Sequence, residues 1–296
     1  MPQPVPGIER PGSFALGARQ VRRIGYGAMQ LAGDGVFGPP RDRDEALRVL
    51  RAAVDGGVNH IDTAQFYGPG VVNELIREEL YPYPSDLAIV SKVAARRDAV
   101  GRVLPYDEPH QLRAGIEENL TTLGVDRLAA VNLRLMDGAV PDRRFDAQLA
   151  ALIRAREEGL IEGVGLSNVS QRHLLRAVDQ TPIVCVQNLF NVADQRSFDV
   201  LQECTGRGIA FVPFCPLGAP GPARARILAS PLLTTHAARL AATPAQLALA
   251  WLLDLAPNVL LIAGTKTREH LAENLRAGRV ELDDTARQEL TRAGVR

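Results

Sequence analysis

The sequence carries no excess of charge of either sign, because 34 basic residues balance 34 acidic residues among its 296. Proteins that bind nucleic acid or an anionic membrane electrostatically carry a basic excess, so neither partner is expected here. Long apolar runs are also absent: none approaches the roughly 18 residues that a helix needs to cross a bilayer. The composition therefore predicts a water-soluble protein.

Cysteine is scarce as well. The chain has three cysteines, Cys185, Cys204 and Cys215, so they cannot all be paired in disulfides within the chain. No pair has the CxxC spacing of many metal and redox sites. Reduced thiols in the cytoplasm are the simplest interpretation, and no metal is expected. The first residues, MPQPVPGIERPGSF, lack the basic and then apolar layout of a secretory signal, so export is not expected.

Short apolar runs of strand length alternate with longer amphipathic segments from about residue 58 onward. The short runs are rich in β-branched residues, which favour strands. Consecutive strand–helix units close into an eight-stranded parallel barrel more readily than into two domains. The predicted fold is therefore α/β, a (β/α)8 TIM barrel, with each strand followed by a helix. The predicted strands are 21–27, 58–62, 87–92, 128–133, 162–167, 183–187, 209–214 and 259–264.

The ends of several helices carry specific signals. One amphipathic segment stops at Gly124, and another begins with Thr243 as N-cap and Pro244 at the first helical position. No linker or break in composition divides the chain, so 1–296 is predicted to be one barrel domain. The Pro-rich residues 1–11 are predicted to be a loose tail, or a turn leading into a hairpin that plugs the bottom of the barrel. A helical segment is expected at the C-terminus.

Two segments interrupt the rhythm of strands and helices. Residues 34–42 are predicted to form a loop. Residues 216–233 are rich in Pro, Gly and Ala and follow the seventh predicted strand, so they are predicted to be either a mobile lid or a surface insertion. Long loops after barrel strands belong to the catalytic face, which favours a functional role.

The segment GDGVFG (33–38) is a literal G-x-G-x-x-G. A dinucleotide-binding fingerprint requires a strand before the motif and a helix that opens at its last glycine. Here no convincing strand precedes the motif, and Pro39 and Pro40 follow it. A Rossmann interpretation is therefore rejected.

Polar side chains stand at the ends of the predicted strands. Barrel active sites are built from residues at the carboxyl ends of the strands. Each of these residues has an ordinary structural explanation alone, such as a cap or a satisfied buried amide, but together they predict a polar ring around one mouth. They are Asp62, Lys92, Arg134, Ser167, Asn168, Gln187 and Asn188.

Tyr67 lies five residues beyond Asp62, and Asp62 and Lys92 end neighbouring predicted strands. A lysine that an aspartate keeps charged lowers the pKa of an adjacent tyrosine, because it stabilises the phenolate. Such a set donates a proton to a developing alkoxide, as carbonyl reduction requires. The hydride must come from a cofactor, since no side chain supplies one.

In combination, several motifs resemble the aldo-keto reductase family, and the resemblance covers residues 12–290. No single motif indicates the family, but the set of motifs does. They are GYGAMQLAG (25–33), HIDTAQFYG (60–68), IVSK (89–92), GLSN (165–168), VQNLFN (186–191), FVPFCPLG (211–218) and IAGTKTREHLAEN (262–274).

The resemblance implies an Asp–Tyr–Lys–His tetrad, in which Asp62 orients and charges Lys92, Lys92 lowers the pKa of Tyr67, and Tyr67 is the general acid. Arg134 occupies the fourth position, where most members have the histidine that orients and polarises the substrate carbonyl. Arginine still donates hydrogen bonds, but it is larger and permanently charged. We therefore expect Tyr67 to supply essentially all acid catalysis, and the pocket to favour negative charge beside the aldehyde. The alternative is that Arg134 merely pairs with Asp62, Asp137 or another carboxylate.

The resemblance also implies that NADPH binds at the barrel mouth. Ser167, Asn168 and Gln187 would hold the nicotinamide carboxamide, Phe214 would stack on its ring, and residues 216–233 would fold over the pyrophosphate.

The adenosine end would bind where Gly264 and Thr265 lead into a helix. Lys266 and Arg268 are the cations available for a 2′-phosphate, unless they are a solvated charge run, and His270 stands where an arginine often contacts that phosphate. The implied cofactor-binding residues are Gly27, Ala28, Met29, Asp62, Ser167, Asn168, Gln187, Phe214, Cys215, Pro216, Leu217, Gly264, Thr265, Lys266, Arg268, His270, Glu273 and Asn274.

The leading prediction is an NADPH-dependent reductase of a small-molecule aldehyde. Pyridoxal is the expected substrate, with pyridoxine as the product, because residues 25–46 and VNLR most resemble bacterial members of the family that reduce pyridoxal. The alternatives are a general aldehyde or ketone reductase, a non-enzymatic NADPH-sensing subunit, and an aldolase that forms a Schiff base through Lys92. A monomer or a small homo-oligomer is expected.

Overall fold

The structure is a computed structural model that describes residues 12–136 and 140–294. Its first two strands, β1 (Ser13–Leu16) and β2 (Arg19–Arg22), form an antiparallel hairpin. The tail predicted at 1–11 lies outside the described residues.

The hairpin packs on the lower end of the barrel. Leu16 and Val21 are buried in one apolar cluster with residues of the barrel interior, including Ala88 and Ala210 at the beginnings of their strands. Burial of these side chains against the strand beginnings closes that end of the barrel. The predicted hairpin at the bottom is confirmed.

The parallel strands follow one another around the barrel in chain order, as the predicted sequence of strand–helix units requires. One further strand, β6, pairs antiparallel with the outer end of β5 and forms a hairpin above the mouth. The strands are β3 (Tyr26–Gly27), β4 (His60–Asp62), β5 (Ala88–Arg97), β6 (Val103–Tyr106), β7 (Ala130–Arg134), β8 (Val164–Ser167), β9 (Ile183–Leu189) and β10 (Ala210–Phe214).

The segment predicted as the eighth strand closes the circle through isolated bridges. Val259 bridges to Phe211 on one side, and Leu261 bridges to Ile24 on the other. Leu260 N–H donates to the Phe211 carbonyl at 2.9 Å, and Gly25 N–H donates to the Leu261 carbonyl at 2.8 Å. The predicted (β/α)8 fold is confirmed.

Helices surround the barrel, and their ends carry the predicted signals. Gly124 ends α3 in the left-handed conformation (φ 67°), and Thr243 accepts the hydrogen bond that caps α9. The helices are α1 (Arg43–Asp55), α2 (Val71–Leu80), α3 (Pro109–Leu123), α4 (Arg143–Glu157), α5 (Gln171–Val178), α6 (Phe198–Arg207), α7 (Pro222–Leu228), α8 (Pro231–Arg239), α9 (Pro244–Leu255), α10 (Arg268–Arg276) and α11 (Asp284–Ala293).

Residues 216–233 are more ordered than the sequence predicts. They contain the whole of α7 and the beginning of α8, and each of these helices starts with proline at its first position. Proline is favourable there because the first turn of a helix has no partner for that N–H group. Two of the four prolines that indicate a loop in the sequence, Pro222 and Pro231, are therefore helix starts.

The first predicted strand, 21–27, is divided between two sheets. Val21 and Arg22 belong to the hairpin, and Tyr26 begins the barrel strand β3. Arg23 lies at the junction, where its buried guanidinium donates to the carbonyls of three residues of the α9 end and the following segment: Leu253, Ala256 and Val259. A charged group in that position is stable because its donors are satisfied.

Candidate active site

A cavity of about 270 Å³ opens at the carboxyl ends of the barrel strands. Most of the predicted site residues line it, although Ala28, Asn168, Leu217 and the predicted residues beyond Gly264 do not. Those that line it are Gly27, Met29, Asp62, Tyr67, Lys92, Arg134, Ser167, Gln187, Phe214, Cys215, Pro216 and Gly264. The structure thus brings the predicted catalytic residues together.

Asp62 and Lys92 form a buried ion pair at the floor of this cavity, with side chains 4% and 5% exposed. Lys92 Nζ donates to one carboxylate oxygen of Asp62 and, at 3.0 Å, to the Thr63 carbonyl. Gln187 Nε2 donates to the other oxygen of Asp62 at 2.7 Å. Each carboxylate oxygen has a donor, which is the condition under which a buried charge pair is stable.

Lys92 remains an ammonium ion at neutral pH. Burial lowers the pKa of Lys92, but Asp62 and Tyr67 together outweigh burial, so the pKa is raised overall. A Schiff-base lysine needs a lowered pKa to present a neutral amine. This environment disfavours the aldolase alternative.

Tyr67 stands over the ion pair. Lys92 Nζ lies 5.1 Å from the centroid of the Tyr67 ring, and Phe66 packs edge-on against that ring. Burial raises the pKa of Tyr67, while Lys92 and Arg134 lower it, and the net direction is upward. Lys92 does lower the pKa of Tyr67, but desolvation of the phenolate exceeds the attraction of the cations. The phenol is protonated at neutral pH, as a proton donor must be.

A closed network of buried amides and hydroxyls holds the residues next to Asp62 and Lys92 in the chain. Thr63 Oγ1 donates to Asn73 Oδ1 at 2.7 Å, and Asn73 Nδ2 donates to Asn119 Oδ1 at 3.0 Å. Asn119 Oδ1 also accepts from Ser91 Oγ at 2.6 Å, and its Nδ2 donates to Gln65 Oε1 at 3.2 Å. Asn119 therefore joins the loop that carries Tyr67 to the strand that carries Lys92.

The sequence alone does not reveal this network. Its only signal is an asparagine on the apolar face of each of two helices, Asn73 in VVNELIREEL and Asn119 in GIEENLTTL. A buried asparagine on such a face requires hydrogen-bond partners, and these are supplied by residues distant in sequence.

Arg134 ends β7 at the cavity and is half-buried. Its Nη1 contacts Met136 Sδ at 3.2 Å. Among residues 12–136 and 140–294, Arg134 forms no ion pair, because Asp62 is occupied by Lys92 and Gln187. Asp137, the other partner considered from the sequence, lies outside the described residues.

The residues predicted to hold the carboxamide differ in their positions. Ser167 and Gln187 line the cavity, whereas Asn168 (φ 60°) turns away and donates from Nδ2 to the Leu135 carbonyl at 2.8 Å. Gln187 Oε1 is buried and has no hydrogen-bond partner in the described part of the chain. A buried acceptor without a donor is costly, so this atom marks a place for an N–H group of a ligand.

Gly27 and Gly264 bring the first and last barrel segments into close contact at the mouth. A Cβ on Gly27 would overlap the Ile262 carbonyl oxygen, and one on Gly264 would overlap the Gly27 carbonyl oxygen. Tyr26 Oη donates to the Thr265 carbonyl at 2.5 Å, which fixes the start of the loop into α10. Only glycine allows this approach of two backbones.

The cations predicted for a 2′-phosphate are not equivalent. Arg268 Nε donates to Glu45 Oε1 at 3.2 Å, and its backbone N–H donates to the same oxygen. Lys266 and His270 are exposed. Arg268 is therefore already paired, and Lys266 is the more available cation.

Glu273 and Asn274 lie on α10. Glu273 accepts a hydrogen bond of 2.5 Å from the Thr243 hydroxyl, which caps α9, and Asn274 is buried and donates to the Ala263 carbonyl at 3.4 Å. Both have structural partners in addition to any role with a ligand.

Two arginines that the sequence analysis does not identify also line the cavity, Arg97 from the outer end of β5 and Arg224 from α7. Arg224 Nε is buried and has no partner among the described residues. In residues 12–136 and 140–294, no group of three or more His, Cys, Asp or Glu could hold a metal ion, and no helix could span a membrane.

Comparison with known proteins agrees with this geometry. A family model described as the aldo/keto reductase family matches residues 23–294. The chain is 48% identical to pyridoxine 4-dehydrogenase of Escherichia coli (strain K12), over 92% of this chain and 94% of that protein. It is 26% identical to aldo-keto reductase yakc [NADP(+)] of Schizosaccharomyces pombe, over 94% and 90%. Among solved structures, the thermostable aldo-keto reductase Tm1743 with the inhibitor epalrestat is 29% identical, with a TM-score of 0.80 over 95% and 99% of the two chains.

Proposed function

Because the chain belongs to the aldo/keto reductase family, we propose that it reduces an aldehyde to an alcohol with NADPH, and that Tyr67 is the general acid. The observation that carries this proposal is the buried Asp62–Lys92 pair directly beneath the protonated Tyr67, in one cavity with the unpaired Gln187 Oε1. The S. pombe relative carries NADP(+) in its name, which supports the choice of cofactor.

The residues of the cavity fit a nicotinamide cofactor. Gln187 Oε1 has no donor among the described residues, and the carboxamide NH2 of the nicotinamide can donate to it. Ser167 lines the same cavity. Arg224 Nε lacks an acceptor that a phosphate oxygen would supply, on the segment expected over the pyrophosphate. When bound, the cofactor supplies the hydride that adds to the carbonyl carbon.

The chain's own catalytic task is to move one proton and to stabilise negative charge on the carbonyl oxygen. Tyr67 donates its phenolic proton to that oxygen, and Lys92 stabilises the phenolate left behind. Asp62 keeps Lys92 charged and is itself held by Gln187. Arg134 cannot release a proton, so it contributes hydrogen bonds and charge.

Pyridoxal is the proposed substrate. The relative in E. coli is named for the oxidation of pyridoxine, which is the reverse of pyridoxal reduction. Pyridoxal has an ionisable phenol ortho to its aldehyde, and the half-buried Arg134, without a carboxylate partner in the described chain, provides a positive charge close to Tyr67. The attraction between the Arg134 guanidinium and the ionised phenol favours pyridoxal over uncharged aldehydes.

Preference for NADPH over NADH rests on Lys266. It is exposed at the start of the loop into α10, whereas Arg268 would have to leave or share Glu45 to reach a 2′-phosphate. We expect Lys266→Ala to lower the affinity for NADPH more than the affinity for NADH.

The deciding experiment is a matrix of initial rates, with NADPH and NADH against pyridoxal, pyridoxal 5′-phosphate and simple aldehydes such as 4-nitrobenzaldehyde. Steady oxidation of NADPH with pyridoxal supports the proposal and excludes a sensing subunit. Tight NADPH binding without turnover of any aldehyde would contradict it. A cytoplasmic location, one domain and a monomer or small homo-oligomer stay predictions.

A further inference from the structure

The cavity has more positive charge than proton donation requires. Among residues 12–136 and 140–294, its lining contains four cationic side chains, Lys92, Arg97, Arg134 and Arg224, and one carboxylate, Asp62. Asp62 and Lys92 neutralise each other, so three guanidinium groups remain. The proposed function assigns Arg134 to charge beside the aldehyde and Arg224 to the cofactor, but it gives Arg97 no role.

A local break in β5 places Arg97 in the cavity. Lys92 and Arg97 are five residues apart, and in a regular strand such residues point to opposite faces. Ala94 lies between them in the left-handed region, with φ 86°, at the position where β5 leaves its partner β7 and begins to pair with β6. This conformation costs a non-glycine residue about 1 kcal/mol or more. Both side chains then line the cavity.

The guanidinium of Arg97 is held in place by neutral acceptors. Its Nε donates to the Phe66 carbonyl at 3.1 Å, and its Nη1 donates to the Gly101 carbonyl at 2.5 Å. Within the part of the chain that the structure describes, Nη2 has no hydrogen-bond partner, and no carboxylate lies within ion-pair distance of the group. Arg97 is therefore a fixed, uncompensated positive charge, because arginine does not lose its proton in proteins.

Arg97 and Arg134 enter the cavity from different elements. Arg134 follows Leu133, which is in register with Val93, whereas Arg97 lies four residues beyond Val93 in the hairpin above the mouth. Val36, Phe66 and Val103 provide an apolar lining in the same cavity. A ligand that satisfies both Arg97 and this lining has an apolar body and an acidic group separate from its carbonyl.

We propose that Arg97 binds an acidic group of the substrate, a carboxylate or a phosphate, that is separate from the aldehyde. Among the aldehydes that the protein reduces, those with such a group on an apolar body are thus favoured over neutral ones, and Arg97 determines this preference. The inference rests on the proposed function, because it assumes that the carbonyl is placed at Tyr67.

The test compares matched aldehydes with NADPH. The carboxylate pair is 4-formylbenzoate and its neutral methyl ester, and the phosphate pair is pyridoxal 5′-phosphate and pyridoxal. For each pair we measure the ratio of kcat/KM, acidic over neutral. We expect wild type to favour the acidic member of at least one pair by roughly tenfold or more, and Arg97→Gln to lower that ratio roughly 10- to 100-fold, the range of a charge-assisted hydrogen bond.

Two further variants separate recognition from folding. Arg97→Lys keeps the charge but loses the planar donor set, so its ratio should lie between those of wild type and Arg97→Gln. Arg102→Gln is the matched control, because Arg102 belongs to the same hairpin, is 76% exposed and pairs with Asp98 outside the cavity. It should leave the ratio unchanged. The Kd of 4-(hydroxymethyl)benzoate in the presence of NADPH provides a reading without turnover, because that complex has no hydride acceptor, and it should rise in Arg97→Gln.

The outcomes distinguish the two proposals. Ratios within about twofold of unity in wild type would overturn the inference while leaving the proposed function in place. An equal loss on acidic and neutral aldehydes in Arg97→Gln would also overturn it, since Arg97 would then only support the hairpin. If no aldehyde is reduced, the proposed function fails, and this inference fails with it.

Discussion

Gln187 and Asp62 are joined by a 2.7 Å hydrogen bond, from Nε2 to the carboxylate oxygen that Lys92 does not use. The bond orients the Gln187 amide so that its Oε1 is left without a donor. One side chain thus serves the ion pair with its nitrogen and a ligand with its oxygen. The catalytic charge and the ligand pocket are therefore coupled through a single amide.

Tyr67→Phe is expected to lower turnover by several orders of magnitude, because phenylalanine lacks the hydroxyl that donates the proton to the carbonyl oxygen. The Kd of NADPH, measured by fluorescence titration, should stay near the wild-type value. Phe66→Leu is a suitable control, since it changes the adjacent ring and keeps the phenol. A comparable loss of NADPH affinity in Tyr67→Phe would show that Tyr67 binds cofactor rather than acting as the acid.

Lys92→Met should be about as inactive as Tyr67→Phe, whereas Asp62→Asn should lose less. Removal of Lys92 abolishes the charge that stabilises the phenolate, while Asp62 acts one step removed, through Lys92. Single-turnover rates with saturating NADPH measure both effects. Equal losses in the two variants would indicate that Asp62 has a direct role.

Arg134→His tests charge matching beside the aldehyde. A neutral histidine keeps a hydrogen-bond donor and removes the permanent positive charge. We expect the preference for pyridoxal over uncharged benzaldehydes, expressed as a ratio of kcat/KM, to fall roughly tenfold or more. An unchanged ratio would exclude charge matching by Arg134.

Asn119→Leu should reduce both stability and turnover. The change leaves Ser91 Oγ and Gln65 Oε1 without their partner and removes one of the two acceptors of Asn73 Nδ2, and each buried group left unpaired costs about 1–3 kcal/mol. The free energy of unfolding in urea should fall by about 2 kcal/mol or more. Turnover should fall while KM for NADPH changes little, because the network positions Tyr67 and Lys92 rather than the cofactor.

Asn119→Gln and Thr121→Ala serve as comparisons for this prediction. Glutamine keeps the amide and should recover part of the loss in turnover. Thr121 lies on the same helix, but its hydroxyl only donates back to the Glu117 carbonyl. A loss of stability in Asn119→Leu without any change in turnover would mean that the network is structural only.

His60 predicts a dependence of stability on pH. It is buried at the start of β4, and burial lowers its pKa to about 4 from an ordinary value near 6.5, with Lys92 also lowering it and Asp62 opposing. Between pH 6.5 and 4 the unfolded chain binds a proton at this residue that the folded chain does not. Stability from His60 is therefore complete above pH 6.5 and is lost as the pH falls, by on the order of 3 kcal/mol in total.

His60→Asn removes this titration. Urea unfolding from pH 7 to pH 4.5 should show wild type losing stability faster than the variant. Parallel curves for the two proteins would contradict the buried, neutral histidine.

The sequence predicts the barrel well for two reasons. Most strands are short apolar runs, and in the helices apolar residues recur at helical spacing. Asp62, Lys92 and Gln187 could also be predicted, since barrel strands carry their functional residues at one end. The positions of α7 and α8 could not, because proline indicates a loop as readily as a helix start. The same limit applies to Asn119 and Arg97, whose surroundings depend on contacts distant in the chain and on the left-handed Ala94.

The hairpin at the lower end of the barrel has a consequence for the ion pair. Leu16 and Val21 cover that end, whereas the cavity that contains Asp62 and Lys92 opens at the mouth. A ligand across the mouth would then separate both groups from bulk solvent. We expect the ammonium protons of Lys92 to exchange slowly with solvent in that state, so that its charge is established on folding and does not titrate during a catalytic cycle.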